Sequence, residues 1–263
     1  MTTNDRCSDA RSFDAGRRMR DENVAHVLGL VRAELRVPEG AALLDLGCGT
    51  GRLSIPLATG LGCTVVGSDR SRGMLDVATG KEGSGRVGWV QHDAASLPFR
   101  ALCFDVVFLS HLLHHVDSPP RVMSECLRVL RAGGALIDRY ASFDDVKGNP
   151  EHRFFPSANR LDAARVPAVD EVERWLRDAG FEEISSVKWS QRTYETGPDR
   201  LRAVALRSIS VLTLVPDEEF RAGLAALEAH VRSHAQDEWV THDRLTVTIA
   251  RKAPAATPAD GAR

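Results

Sequence analysis

The sequence lacks any run of about 18 apolar residues, and its polar first twenty residues contain no apolar stretch of a secretory signal. We therefore expect no membrane span and a cytoplasmic location. A strong excess of one charge is also missing, because 34 Lys and Arg residues stand against 36 Asp and Glu residues. The net charge of −2 gives no electrostatic reason to expect nucleic acid as a partner. This balance favours a small-molecule partner.

Cysteine is scarce, and no two cysteines have the C-x-x-C spacing that would indicate a zinc site or a redox pair. The five cysteines are Cys7, Cys48, Cys63, Cys103 and Cys126. We expect them to be reduced thiols, mostly with structural roles. His230 and His234 have the i, i+4 spacing that can bind zinc, but no Glu follows His230 directly. Since no third ligand is evident, we interpret them as a surface pair and expect no metal.

Short apolar runs alternate with helical patterns along the chain, which is typical of βαβ units and of a mostly parallel sheet with helices on both faces. The predicted strands are 42–46, 64–67, 86–90, 104–109, 135–138, 183–190 and 245–249. The predicted helices include 16–36, 118–131 and 168–179. Helical periodicity in 199–214 and 217–234 predicts an insertion before the last strand, since a hairpin would need only a few residues.

Three glycines connect the first predicted strand to a helix: Gly47, Gly49 and Gly51. Glycine allows a sharp turn and a close approach of a ligand to main-chain atoms. A dinucleotide site requires G-x-G-x-x-G, whereas here the spacing is G-x-G-x-G and Arg52 stands where the third glycine would fall. The pattern therefore argues against NAD.

An acidic residue follows at the end of the second predicted strand. Asp69 comes eighteen residues after Gly51, where a carboxylate can accept hydrogen bonds from both hydroxyls of a ribose. Asp45, just before the glycines, can meet the charged amino group of a methionine moiety. Together these residues predict an adenosine-type ligand with an amino-acid part. The alternative is a tight packing turn that binds nothing.

With the segment Ser71-Arg72-Gly73-Met74-Leu75-Asp76-Val77-Ala78 added, the chain resembles the class I S-adenosylmethionine (SAM)-dependent methyltransferases. The branch is that of the ubiquinone/menaquinone-biosynthesis-like domains, methyltransferase type 11. The resemblance is close over residues 41–140 and looser to 187. It implies S-adenosyl-L-methionine as the cofactor. It also implies a Rossmann-like, doubly wound, mostly parallel seven-stranded α/β sheet, here with a helical insertion before the last strand.

The resemblance also implies roles for individual residues. The residues that would hold the methionine part of the cofactor are Asp45, Gly47, Cys48, Gly49, Thr50 and Gly51. Asp69 would hold the ribose and Met74 would cover the adenine. Asp93 and the backbone of Ala94 would read the adenine edge.

The residues after the fourth and fifth predicted strands are the candidates nearest to the reacting centre. The resemblance implies that Ser110 lines the floor beside the sulfonium and that His115 belongs to the cofactor site. Methyl transfer is an in-line displacement that mainly needs orientation, and a base is required only when the acceptor must lose a proton early. His111 is our first candidate base, and Tyr140 can orient or deprotonate an acceptor. The alternatives are a structural histidine and a tyrosine that merely caps the pocket.

Two segments leave the sheet at the edge expected for the cofactor and are candidates for a lid and an acceptor pocket, namely 141–167 and 191–243. The second follows the strand from Glu183, which should run parallel to the others. Aromatic and cationic residues in 143–165 would suit a flat or carboxylated acceptor, or form a solvated face. We expect residues 1–16 to be a flexible N-terminus, 17–252 a methyltransferase domain and 253–263 a disordered tail.

Three functions remain open at this point. The first is methylation of a small molecule, such as a metabolite, quinone or natural product. The second keeps the fold and the cofactor but cyclises or rearranges a substrate without methyl transfer. The third, methylation of a macromolecule, lacks its usual signs, because Ser110-His111-Leu112-Leu113 stands where an Asn-Pro-Pro-Tyr-type motif would fall. The oligomeric state is also open, with a homodimer among the alternatives.

Overall fold

A seven-stranded sheet organises the chain in a computed structural model, which describes residues 10–16, 19–35, 40–235 and 241–255. The strands are β1 (Ala42–Leu46), β2 (Thr64–Asp69), β3 (Val87–Gln91), β4 (Phe104–Ser110), β5 (Leu130–Tyr140), β6 (Glu182–Tyr194) and β7 (Thr241–Arg251). Their order is β3-β2-β1-β4-β5-β7-β6. Strands β1 to β5 are parallel to one another, and β7 is antiparallel to both β5 and β6. β6 therefore runs with β1 to β5, and the predicted mostly parallel α/β sheet is confirmed.

Ten α-helices lie in the described residues. They are α1 (Ala10–Gly16), α2 (Asp21–Glu34), α3 (Ser54–Leu61), α4 (Arg72–Thr79), α5 (Pro119–Val129), α6 (Phe143–Val146), α7 (Pro156–Arg165), α8 (Val169–Ala179), α9 (Gly197–Ala205) and α10 (Asp217–Ser233). α9 and α10 form the predicted insertion between β6 and β7. The helix predicted over 16–36 begins only at Asp21, because Arg20 is extended and serves as its N-cap.

Side chains alternate between the two faces of the sheet, and each face has its own core. Leu44 and Val107 pack with the buried side of α5 and α8. Leu43 and Val106, one residue earlier in the same strands, pack with α2 and α3. A period of two along each strand thus supplies apolar residues to both helical layers.

A third, smaller core joins the two segments that the sequence predicts as candidates for a lid and an acceptor pocket. We call α7, α9, α10 and the 3-10 turns Pro150–Arg153 and Ser210–Thr213 the cap. Its buried centre includes Phe155, Val204 and Phe220. Gly223 allows α10 to approach the chain just before α7 closely, because a Cβ there would lie 2.4 Å from the Phe154 carbonyl oxygen. The two segments therefore form one packed unit.

The structure describes α1 inside the N-terminal segment that we expected to be flexible. This helix contacts α4 on one side and α9 on the other. Residues 1–9, and most of the tail predicted from 253 onward, lie outside the described residues. Among the helices of the described ranges, none is both long and apolar enough to cross a membrane.

Candidate active site

The glycine loop connects β1 to α3 in a conformation that few other residues can adopt. Gly47, Gly49 and Gly51 have φ angles of 76°, 55° and 72°. The amides of Gly47 and Cys48 donate to the carbonyl of Ser68, which fixes the loop against β2. A Cβ at Gly51 would lie 2.6 Å from the Trp89 ring. The loop thus needs glycine for both backbone conformation and space.

Asp69 links the loops that follow β1 and β2. Its Oδ2 accepts a hydrogen bond from the Gly49 amide at 2.8 Å, and its Oδ1 accepts one from the Ser71 amide at 2.8 Å. Burial raises the pKa of this half-buried carboxyl above its usual value. The two signals that the sequence carries separately, the glycines and the acidic residue, therefore meet at one place.

Asp45 lies beneath the loop and is almost fully buried. Its Oδ2 accepts a hydrogen bond of 2.5 Å from the hydroxyl of Ser54, at the start of α3. Burial raises the pKa of Asp45 to about 7. A cation beside this carboxyl would lower that pKa again, because it would stabilise the charged form.

The other predicted cofactor residues gather at the same edge of the sheet. Met74 is buried on α4, with its amide 3.3 Å from the Ser71 hydroxyl. Asp93 is exposed after β3 and its Oδ1 accepts from the Ala95 amide, while Ala94 is buried. The buried Cys48 has a thiol whose pKa is raised by burial, so it remains protonated.

Sequence reasoning missed the contact of α1 with the glycine loop. Asp14 accepts hydrogen bonds from the Thr50 hydroxyl at 2.5 Å and from Lys81 at 2.6 Å. Lys81 also donates to the Thr50 carbonyl at 2.9 Å. The guanidinium of Arg52 lies 5.0 Å from the centre of the Phe13 ring. A short polar segment offered no periodic pattern from which these contacts could be predicted.

The turn after β4 brings the predicted histidines to this edge. His111 has a left-handed backbone with φ 57°, and its amide donates to the carbonyl of Arg139 at 2.9 Å. The 3-10 turn Leu113–His115 follows, and the ring centres of His114 and His115 are 4.1 Å apart. Leu112 covers the loop, since a Cβ at Gly47 would lie 2.8 Å from it.

A pocket of about 520 Å³ opens beside the glycine loop. Its floor is formed by His111, Arg139 and Gln191, at the ends of β4, β5 and in β6. Its walls include Arg52 after the glycine loop and Arg202 of α9. The far end of β6 and the insertion therefore reach the edge of the sheet that carries the glycine loop.

Tyr140 does not belong to this pocket. It is 1% exposed, and its hydroxyl lies 3.3 Å from the hydroxyl of Thr248. Burial raises the pKa of the phenol. Because neighbouring strand residues face opposite sides, Arg139 lines the pocket and Tyr140 enters the core beneath α8. The geometry therefore gives no support to Tyr140 as a base for an acceptor bound there.

The aromatic and cationic residues of 143–165 do not line this pocket either. Phe155 is buried in the cap core. Arg165 and His152 both contact Asp162, at 3.0 and 3.3 Å. These side chains hold the cap together instead of lining the pocket.

The histidine pair with i, i+4 spacing lies at the end of α10. His230 packs against Phe154, and its ring centre lies 4.0 Å from that of His234.

The side chain of Asp138 lies on the same face of β5 as Tyr140, and its burial predicts that the stability of the protein depends on pH. Neither of its carboxyl oxygens has a hydrogen-bond partner among the described residues, and burial raises its pKa to about 8. The folded protein thus keeps a proton that the unfolded chain releases near its usual pKa of about 4. Unfolding releases that proton at neutral pH, so this group makes stability fall as the pH rises from about 4 to about 8.

Asp138→Asn is expected to remove this dependence, since an amide does not ionise. Between about pH 6 and pH 7.5 the free energy of unfolding of the wild type should fall by about 2 kcal/mol relative to the variant. Urea unfolding at a series of pH values measures the difference. Asp117→Asn, at an exposed position, is the control. Parallel pH profiles for wild type and Asp138→Asn would show that the buried group is not protonated.

Comparison with known proteins identifies the family. A family model described as a methyltransferase domain matches residues 44–138, which run from β1 into β5. Methyltransferase GfsG of Streptomyces halstedii is 30% identical over 198 residues, covering 72% of this chain and 67% of that protein. Demethylmenaquinone methyltransferase of Renibacterium salmoninarum is 32% identical over 165 residues, covering 56% of this chain and 68% of that protein.

A solved structure shows the same fold. It is named as a methyltransferase from an antibiotic biosynthesis pathway of Anabaena variabilis, and it superposes with a TM-score of 0.73 at 19% identity. The alignment covers 86% of this chain and 96% of that one. The chain belongs to the class I SAM-dependent methyltransferases, in the methyltransferase type 11 branch. It is an enzyme whose cofactor is S-adenosyl-L-methionine.

Proposed function

We propose that this enzyme transfers the methyl group of SAM to a small molecule bound in the pocket above His111, Arg139 and Gln191. The observation that carries the proposal is the pocket itself, whose volume of about 520 Å³ falls within the range of small-molecule sites. Asp69 and Met74 do not line it, so it lies beside the predicted cofactor crevice. The names of the relatives, a demethylmenaquinone methyltransferase among them, agree with a small acceptor.

The residues of the loop fit a SAM molecule. We assign the methionine part to the loop from Gly47 to Gly51, where Gly49 faces open space and a Cβ at Gly47 or Gly51 would clash with Leu112 or Trp89. Asp69 would accept the ribose hydroxyls. Each carboxylate oxygen has two lone pairs, so the bonds from Gly49 and Ser71 still leave room for a hydroxyl on each oxygen. Asp45 would face the amino group, and that cation would relieve its raised pKa.

The adenine would lie between Met74 and the segment of Asp93 and Ala94, all of which gather at the ends of β2 and β3. The exposed His115 would close this side of the crevice. Ser110 would lie between cofactor and acceptor, at the end of β4. These assignments follow the resemblance residue by residue.

Held by the glycine loop and Asp69, SAM would supply an electrophilic methyl group: the acceptor atom would form the new bond to this methyl, and S-adenosylhomocysteine would be the leaving product. The pocket residues have to align the acceptor atom with that methyl group and exclude water. For an acceptor with a hydroxyl, we propose His111 as the base, because it lines the pocket floor and imidazole titrates near neutral pH.

The test is calorimetric titration of the purified protein with SAM, followed by incubation with small phenols, amines and quinones while S-adenosylhomocysteine is measured. We expect micromolar binding and release of S-adenosylhomocysteine with at least one acceptor. Binding without any release of S-adenosylhomocysteine would favour the alternative in which the SAM-dependent fold cyclises or rearranges its substrate. Absence of binding by the folded protein would contradict the proposal.

A further inference from the structure

The pocket beside the glycine loop has few apolar side chains. Of the described residues that line it, only Ala15, Met19 and Ala203 have wholly apolar side chains. Small-molecule pockets are usually lined mainly by apolar and aromatic side chains, with a few polar groups among them. A ligand with a large apolar part would find little surface here against which to bury itself. The lining therefore favours a hydrophilic ligand.

Buried polar side chains form part of this lining. Asn23, Arg139 and Gln191 line the pocket although they are 6%, 1% and 7% exposed. Arg139 donates to the Gln191 side-chain oxygen at 2.5 Å, and the Asn23 amide nitrogen donates to the carbonyl of Arg192 at 2.9 Å. The described hydrogen bonds use neither the Gln191 amide nitrogen nor the Asn23 side-chain oxygen. These two atoms offer a ligand one donor and one acceptor, both in side chains held by other bonds.

The charged side chains of the lining balance one another. Five arginines and five acidic residues line the pocket, so their formal charges cancel. Arg20 contacts Glu22 at 2.9 Å and Glu195 at 2.7 Å, and Arg192 contacts Glu195 at 3.4 Å. An ionic ligand at this rim would have to replace one partner of such a pair. The lining therefore favours neither an anion nor a cation over a neutral ligand.

Hydroxyl groups suit a lining of paired charges. A hydroxyl can accept a hydrogen bond from a guanidinium and donate one to the carboxylate beside it. The pair stays intact, because a guanidinium has five N–H donors and each carboxylate oxygen has two lone pairs. Hydrogen bonds to charged groups are also stronger than those between neutral groups. A ring with several hydroxyls can make such contacts on more than one side of the pocket at once.

We propose that the methyl acceptor is an uncharged, polyhydroxylated ring, either a free sugar or the sugar unit of a glycoside. The hydroxyl that is methylated would form its new O–C bond as S-adenosylhomocysteine leaves, and its proton would pass to His111, the base proposed above. The inference rests on the proposed function in taking the ligand of the pocket to be the acceptor. It adds the chemical class of that acceptor.

The test compares ring compounds that differ in polarity and charge. The neutral probes are the methyl glycosides of glucose, galactose, mannose, rhamnose and xylose. Glucuronate and glucosamine are the charged probes, and menadione is the apolar one. Each is titrated into the full chain with S-adenosylhomocysteine present, and binding is followed by NMR. Comparison of the preferred glycoside with its free sugar distinguishes the two sources of the ring.

Variants show whether the binding takes place in this pocket. Asn23→Leu replaces a buried polar side chain of the lining with an apolar one of similar size. Glu195→Gln removes one charge from the half-exposed rim and serves in case the first variant does not fold. Asn159→Leu makes the same exchange as Asn23→Leu on the exposed face of α7 and is the control.

We expect the wild type and Asn159→Leu to bind at least one neutral glycoside at least about tenfold more tightly than any charged or apolar probe. The folded Asn23→Leu or Glu195→Gln variant should lose at least about tenfold of that affinity and keep its affinity for SAM. The preferred sugar should also release S-adenosylhomocysteine when it is incubated with the wild type and SAM.

Tighter binding of menadione or of a charged sugar would overturn the inference, as would binding of no neutral glycoside at all. An affinity that survives in both variants would do the same, since the sugar would then bind elsewhere. So would a bound sugar that releases no S-adenosylhomocysteine while a phenol or an amine does. Failure of the folded wild type to bind SAM would instead count against the proposed function.

Discussion

Asp69→Ala is expected to weaken SAM binding by at least about 100-fold. Removing the carboxylate deletes the bonds to the Gly49 and Ser71 amides, which hold the glycine loop and the start of α4 together. It also deletes the proposed bonds to the ribose hydroxyls. Hydrogen bonds to a charged group contribute about 1.5 to 3 kcal/mol each, and about 1.4 kcal/mol corresponds to a tenfold change in affinity. Calorimetric titration with SAM measures the loss.

The control for this variant is Asp76→Ala, seven residues further on the exposed face of α4, where the side chain bonds only to Arg72 among the described contacts. We expect its affinity for SAM to match that of the wild type. Asp69→Ala should remain folded, which circular dichroism can verify. A folded Asp69→Ala protein that binds SAM within about threefold of the wild type would refute the role of this carboxylate.

Arg200→Ala is expected to destabilise the protein by about 3 to 5 kcal/mol, because it leaves Glu151 buried without its partner. The two side chains are 7% and 8% exposed, and the guanidinium donates to the carboxylate at 2.9 and 3.0 Å. This pair joins the 3-10 turn Pro150–Arg153 to α9 across the cap. The melting temperature should fall by about 10 °C. Differential scanning calorimetry measures both quantities.

An exposed ion pair in the same cap provides the comparison. Arg232→Ala removes the partner of Glu228 on α10, where both side chains are at least half exposed, and should change stability by less than about 1 kcal/mol. The double variant Glu151→Leu with Arg200→Leu should recover most of the lost stability, since no uncompensated charge remains. If Arg200→Ala behaves like Arg232→Ala, the buried pair does not hold the cap together.

The sheet and the glycine loop could be predicted because their signals are local. Short apolar runs of the right length mark β1 to β4 within two residues of their bounds, and a positive φ at Gly47, Gly49 and Gly51 has a recognisable sequence spacing. β6 was harder to delimit: it continues to Tyr194, four residues past the predicted end, because its last residues pair with β7 although they are polar. The hydrophobic pattern does not predict such pairing, because the backbone hydrogen bonds between strands do not require apolar side chains.

The acceptor side of the site could not be predicted in the same way. The sequence directs attention to Tyr140, the residue with the more familiar chemistry, but the register of β5 turns Arg139 to the pocket and Tyr140 to the core. Because residues 134–140 of β5 are buried on both faces, an alternating pattern does not mark which face each residue meets. The role of Asp14 was also missed. It lies on a seven-residue helix, and its contacts with Thr50 and Lys81 follow from the tertiary structure and not from a local sequence pattern.

The buried pair of Glu151 and Arg200 limits how parts of the cap can be exchanged with those of a relative. The matched family model ends at residue 138, and both partners of the pair lie beyond it. A chimera that takes only α9 and α10 from a relative would replace Arg200 and keep Glu151. The buried carboxylate would then lose its cationic partner. The turn before α7 and the insertion after β6 therefore have to be exchanged together. In evolution, we expect substitutions at Glu151 and Arg200 to occur as a pair.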